Sequence, residues 1–412
     1  MVISAKQLTK FVLYFTLAHI GISYIGLGPL PIELMYICDI AAIFLTILII
    51  KSLRSGVNIG SPWVKRSIYL ALLVMVINIM AGVIGLVNPL WLLRGIRSVC
   101  RFYILYIGMI LYWKKDDVYD FFRYAIKLYP LNFAVVLIQW IVWPDNYDGI
   151  IGITGTYLAV YMTLVVSYYT VMYLRGKEPI WKLAIVAVLN FLTAAWGDQR
   201  GYYFMFIAAI VTVLLYERKT TKMFTVVIGG SIAIAVGLYI MSIWMPDSYN
   251  TLLGIDAIYE YGTRTSGGYE ISRFGAFGEL NDLFFHNDIF RNLFGYGLGS
   301  CEVNSPFYNQ YGHLHYTWFT HQWTFLETGY VGIIILVFFF VWHLGMARVS
   351  KRECKNQTDQ GLVIVCASIA TVAIITTMYF SMHRGYHGYL FYALMAMIMI
   401  LLKENSYEGE DI

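Results

Sequence analysis

Long apolar runs separated by short polar turns recur along nearly the whole chain. They lie near 8–28, 30–50, 66–87, 90–112, 123–143, 150–174, 179–197, 201–216, 222–245, 321–344, 361–380 and 385–402. Most are about 17 to 25 residues, the length a helix needs to cross about 30 Å of hydrocarbon. Barrel strands would alternate apolar and polar positions, whereas these runs are continuous. One extended polar interval, roughly Pro246 to Thr320, interrupts the rhythm. The pattern predicts an all-α polytopic membrane protein of about 12 transmembrane helices, with one long extracytoplasmic loop between spans 9 and 10. Its parts are spans 1–9 in residues 1–245, the loop in 246–320, and spans 10–12 with a short cytoplasmic tail in 321–412.

Composition agrees. Of 412 residues only 13% are charged, against about 25% in soluble domains, and mean hydropathy is +0.64. So few charges cannot clothe a globule of this size in water. The first run follows Lys6 and Lys10 without a small-residue cleavage site and reads as a retained span.

Basic residues sharpen the topology. They cluster at Lys51, Arg54, Lys65 and Arg66, at Lys114 and Lys115, at Arg175 and Lys177, at Arg218, Lys219 and Lys222, and at Arg348, Lys351, Arg352 and Lys355. These are every second loop. The positive-inside rule then predicts that both termini are cytoplasmic and the long loop lies outside. Five scattered cysteines, only Cys301 of them in the loop, give no disulfide framework.

Several arginines fall where this topology disfavours cations. Arg94, Arg97 and Arg101 share a helical face by spacings of three and four, at the outer end of span 4. A charge at mid-membrane depth costs about 2.5–3.5 kcal/mol on insertion scales. Such residues therefore bind an anion, pair with an acid elsewhere, or snorkel to the interface. Guanidinium suits phosphate because its planar fork donates two bonds at once. Arg200, in the turn Trp196–Phe204, is a second candidate, with Asp198 as a possible local partner. Arg384, flanked by His383 and His387, is a third, and Arg264 and Arg273 are the loop's cations near aromatics.

The loop is rich in tyrosine and histidine. Aromatic faces pack on sugar C–H faces, so Tyr269, Tyr316 and Trp318 are candidate sugar platforms; the competing reading is a small apolar core for the loop. His313, His315 and His321 are candidate bases for a sugar hydroxyl. His313-x-His315 is a conceivable metal pair, but no carboxylate completes a familiar spacing, so no metal site is predicted. Gly295-Tyr-Gly-Leu-Gly299 lacks the strand–helix frame of a dinucleotide loop and instead marks close backbone turns.

Together, the arginine turn Trp196–Phe204, the loop arginine Arg273, Leu293-Phe-Gly-Tyr-Gly-Leu-Gly299, His321 and Glu327-Thr-Gly-Tyr-Val-Gly332 resemble the O-antigen polymerase and ligase family, and Wzy-type polysaccharide polymerases above all. The matched residues lie within about 197–332. The resemblance implies metal-independent glycosyl transfer, with no cofactor, at the outer face of the bacterial cytoplasmic membrane. The donor is an undecaprenyl-pyrophosphate-linked oligosaccharide and the acceptor a sugar hydroxyl on another lipid-linked unit. Arg200 and Arg273 would hold pyrophosphate, with Arg94, Arg97, Arg101 and Arg384 as further candidates, and His321 would be the base. The family's histidine is usually followed by asparagine; here Gln322 follows His321 and His315 lies nearby, so both histidines are candidates. Membrane lipids and a chain-length regulator are expected partners, and nucleic acid is not. A ligase of the same superfamily and a transporter or flippase are the alternatives. The absence of an internal repeat speaks against transport.

Overall fold

The structure is a computed structural model describing residues 4–22, 36–56, 59–142, 149–150, 155–197, 199–217, 221–253, 255–263, 271–381, 383–385 and 388–407. The described residues hold seventeen α-helices and no strand. The first nine are α1 (Ala5–Ile22), α2 (Tyr36–Arg54), α3 (Pro62–Ile84), α4 (Pro89–Tyr112), α5 (Lys115–Val142), α6 (Gly155–Leu174), α7 (Ile180–Trp196), α8 (Arg200–Tyr216) and α9 (Thr221–Trp244). Short helices follow: α10 (Pro246–Leu253), α11 (Ile255–Thr263), α12 (Ala276–Leu280), α13 (Ile289–Phe294) and α14 (Pro306–Tyr311). The chain closes with α15 (Thr320–Glu353), α16 (Gln357–Tyr379) and α17 (Gly388–Tyr407).

Among the described helices nine, α2–α6, α9 and α15–α17, are long and apolar enough to cross a membrane, and α7 and α8 are shorter apolar helices. The protein is an all-α polytopic membrane protein. Local sequence sets several boundaries. Ser61 and Asn88 cap α3 and α4 by accepting from Trp63 N and Leu90 N, each followed by proline at the first helical position. Other edges differ from the hydropathy reading, because helix outlasts apolarity. The run at 321–344 belongs to a helix that continues to Glu353, carrying Arg348, Lys351 and Arg352.

The bundle is built around α17, which packs against α1, α3, α4, α5, α15 and α16. Its apolar window is 94% buried, against 22% for the peripheral α9. One end of the bundle is basic. There Lys6 and Lys10 pair with Asp117 at 2.8 and 2.6 Å, Lys115 with Asp359 at 2.7 Å, and Arg175 with Glu217 at 2.6 Å. Lys403 caps α4 by donating to Ile110 O and Trp113 O. The turns after α4, α6, α8 and α15 therefore meet on a single face.

The polar interval forms the opposite end. Ile271, Ala276, Leu280, Phe285, Cys301 and Tyr316 make a small apolar core that sits on Phe325 and Leu326 of α15. Leu293–Gly299 threads between α3, α4 and α15. Gly329 interrupts α15 with φ 58° and ψ −158°, and near this break Leu326 O and Glu327 O accept from Tyr296 N and Gly297 N at 2.8 Å each. Side chains are sterically barred along this seam. A Cβ on Gly329 would lie 2.4 Å from Leu293 C, and one on Gly299 2.0 Å from Trp91 O.

Candidate functional site

Two constellations of charge lie at the loop end, and they differ in kind. The first is a closed network. Arg384 Nη1 meets Glu327 Oε2 at 2.6 Å and Glu302 Oε1 at 3.6 Å, and its guanidinium stacks on Trp323 at 4.9 Å. Glu302 also accepts from Ser98 Oγ at 2.5 Å, and Glu327 accepts from Cys301 N at 3.1 Å. Arg101 donates to Arg384 O at 2.7 Å and lies over Phe102. Arg384 thus faces two carboxylates, the arrangement of a structural ion pair.

The neighbouring arginines of α4 diverge despite their shared face. Arg97 pairs with Asp39 at 2.6 Å and covers Tyr36, while Arg94 is exposed over Trp91 at 4.4 Å. Pairing with an acid elsewhere, one of the readings of the sequence, describes Arg97. Asp39 lies 58 residues away on α2, so local spacing could not reveal it.

The second constellation lines a groove. A groove of about 1040 Å³ runs along α8, α15 and α16. Arg200, Arg273, Phe274 and Tyr379 line its loop end, and Leu215, Tyr216 and Arg348 its basic end. It follows the whole of α8, roughly 24 Å at 1.5 Å per residue. The walls between are almost wholly apolar. Ile207, Val211, Leu215, Val341 and Met378 are exposed, so the groove opens along the side of the bundle.

Arg273 is held in this mouth by aromatic faces. Its Cζ lies 4.9 Å from the Phe319 ring and 5.0 Å from that of Tyr379, a cation–π cradle from two elements. Arg200 is half-buried at the first turn of α8. Of the candidate arginines, the structure brings Arg200 and Arg273 together on the groove. It places Arg94, Arg97, Arg101 and Arg384 elsewhere.

His321 sits beside Arg273 but is 1% exposed. Its Nδ1 is 3.1 Å from Thr377 O and its Nε2 3.1 Å from Arg273 O. His315 is half-buried, at φ 55°, with its ring stacked on Trp318 at 4.0 Å. Trp318 is half-exposed, and the next residue, Phe319, lies under Arg273. Tyr316, by contrast, is fully buried in the loop core, its hydroxyl donating to Cys301 O at 2.8 Å. It presents no face to a sugar, as the alternative reading of the loop's tyrosines has it. Burial pushes its phenol pKa up. Tyr269, Arg264, Asp198 and His387 lie outside the described residues.

Sequence reasoning passed over Glu302 and Ser98, noted Gln322 only as the residue after His321, and gave Glu327 no partner. A lone carboxylate in an apolar run is itself a signal of pairing, and it would have singled out Glu327. Among the described residues no three His, Cys, Asp or Glu side chains converge as a metal ion would require. No family model matches the chain, and no curated protein matches it.

Proposed function

We propose that the protein is a polysaccharide polymerase of the Wzy type, transferring a glycan from undecaprenyl pyrophosphate to a sugar hydroxyl of another lipid-linked unit. The observation that carries this reading is the groove: a long apolar channel open along the side of the bundle, with Arg200 and Arg273 at one mouth. Those are the parts a polyprenyl tail and a pyrophosphate head need. By the positive-inside rule the basic end is cytoplasmic, which puts the mouth on the outer face of the bacterial cytoplasmic membrane. About twelve helices then span it.

In the reaction an acceptor oxygen bonds to the anomeric carbon as the bond from that carbon to the pyrophosphate oxygen breaks. Charge develops on the departing pyrophosphate, and fixed guanidiniums stabilise it where they stand. The acceptor's proton leaves on the loop side, where His315 is a half-buried imidazole. Trp318 supplies an aromatic face for a sugar. The same groove would serve a ligase, which differs in its acceptor. A flippase fits less well, because the lining between Arg200 and Arg348 is apolar apart from such groups as Thr212 and Thr371, and a charged head would have no polar path across.

The test uses purified protein in detergent with a lipid-pyrophosphate-linked oligosaccharide. A ladder of lengthening glycans is expected from the wild type, and none from Arg200→Ala or Arg273→Ala. A wild type that builds no ladder, or variants that build it normally, would refute the reading.

A further inference from the structure

We infer that His321, together with Gln322, is a positioning residue for Arg273 and not the base of the transfer; this rests on the reading of the groove mouth as a pyrophosphate site. Three consecutive carbonyls of the loop, those of Ile271, Ser272 and Arg273, are gripped by these two adjacent side chains. Gln322 Nε2 donates to Ile271 O at 3.2 Å and to Ser272 O at 3.1 Å. His321 Nε2 faces Arg273 O, and its Nδ1 faces Thr377 O.

The consequence is geometric. Arg273's cation rests on Phe319 and Tyr379. Phe319 is two residues before His321, and Tyr379 is two residues after Thr377. One imidazole therefore ties the backbone of Arg273 to both elements that cradle its guanidinium. Phe277 and Phe319 flank the ring at 5.8 and 6.0 Å, leaving it 1% exposed.

The chemistry of the ring points the same way. A general base must offer a bare nitrogen lone pair within hydrogen-bond reach of the acceptor, directly or through one water. Here each nitrogen is turned to a carbonyl oxygen, which can only accept. A neutral imidazole has one N–H and satisfies one of the two; a protonated ring satisfies both. In either state His321 acts on the backbone.

Positioning and base catalysis separate in binding. The experiment measures the affinity of purified full-length protein in detergent for undecaprenyl pyrophosphate, alongside glycan transfer. His321→Ala is expected to weaken binding at least about tenfold, the scale of a lost charge-assisted contact. His321→Ala combined with Arg273→Ala should bind no more weakly than Arg273→Ala alone. His321→Gln, which keeps an amide donor for one carbonyl, should recover part of both binding and transfer. Should His321→Ala fail to fold, the same cycle run with Gln322→Leu decides. Wild-type affinity in His321→Ala with transfer lost would overturn the inference, as would losses that multiply with those of Arg273→Ala. A wild type that does not bind the lipid at all would instead refute the proposed function.

Discussion

Glu327 and Arg384 face each other at 2.6 Å in the interior of the bundle, the carboxylate fully buried and the guanidinium nearly so. The pair joins the first segment of α15 to the turn before α17, and Cys301 N adds the loop to it. Removing one partner of a buried pair strands the other and costs about 3–5 kcal/mol. Glu327→Ala and Arg384→Ala should each lower the unfolding temperature in detergent sharply. The double substitution Glu327→Leu with Arg384→Met should lose less than either single one. Thermal melts of the three variants check this.

The glycine seam gives a second expectation. Gly299 has φ 89°, and an added Cβ would meet Trp91 O at 2.0 Å; neither the conformation nor the space suits a side chain. Gly299→Ala should abolish accumulation of folded protein. Gly278→Ala, in α12 with open space around its Cβ, should be neutral or slightly stabilising, because alanine favours helix. Fluorescence-detected gel filtration of the two variants distinguishes them.

Filling the groove should silence the protein without unfolding it. Ala208 lines the groove midway along α8, where a tryptophan would occupy the path of a polyprenyl tail. Ala208→Trp is expected to cut transfer more than tenfold, the scale of a few lost contacts, with an unchanged melting temperature. Ile43→Trp on α2, at 63% exposure away from the groove, is the control and should be fully active.

His383 makes stability depend on pH. It lies in the turn between α16 and α17, its Nε2 donating to Ala373 O at 2.9 Å, and burial holds its pKa down at about 4. In the unfolded chain the same group titrates near 6.5. As pH falls from about 6.5 towards 4 the unfolded chain takes up a proton that the folded one refuses. Stability from this group is complete above that window and declines within it. His383→Phe should flatten that part of a melting-temperature profile against pH.

The helices were legible because an apolar run of spanning length has few other ways to satisfy its backbone in lipid. The alternation of basic loops was legible for a related reason, and the Lys6, Lys10, Lys115 and Arg175 pairs do meet on one face. What the chain concealed is long-range. Asp39 beneath Arg97, Ser98 on Glu302 and Glu327 on Arg384 are contacts between distant segments. The break at Gly329 is silent in hydropathy, since apolar residues continue on both sides. Arg200 stood out as an arginine in a short outer turn and Arg273 as a loop cation near aromatics, but that they share a groove depends on how α8 and the loop pack. Tyr316 looked like its neighbours and is distinguished only by burial.

The account rests on guanidiniums that face outward, and thiol labelling of intact cells tests that most directly. All five native cysteines are buried, so background labelling should be low. Phe274→Cys reports the groove mouth beside Arg273, and Arg352→Cys reports the basic end. The account predicts that a membrane-impermeant maleimide labels Phe274→Cys in intact cells and Arg352→Cys only after the membrane is opened. Labelling of Arg352→Cys from outside, with Phe274→Cys protected until lysis, would contradict it.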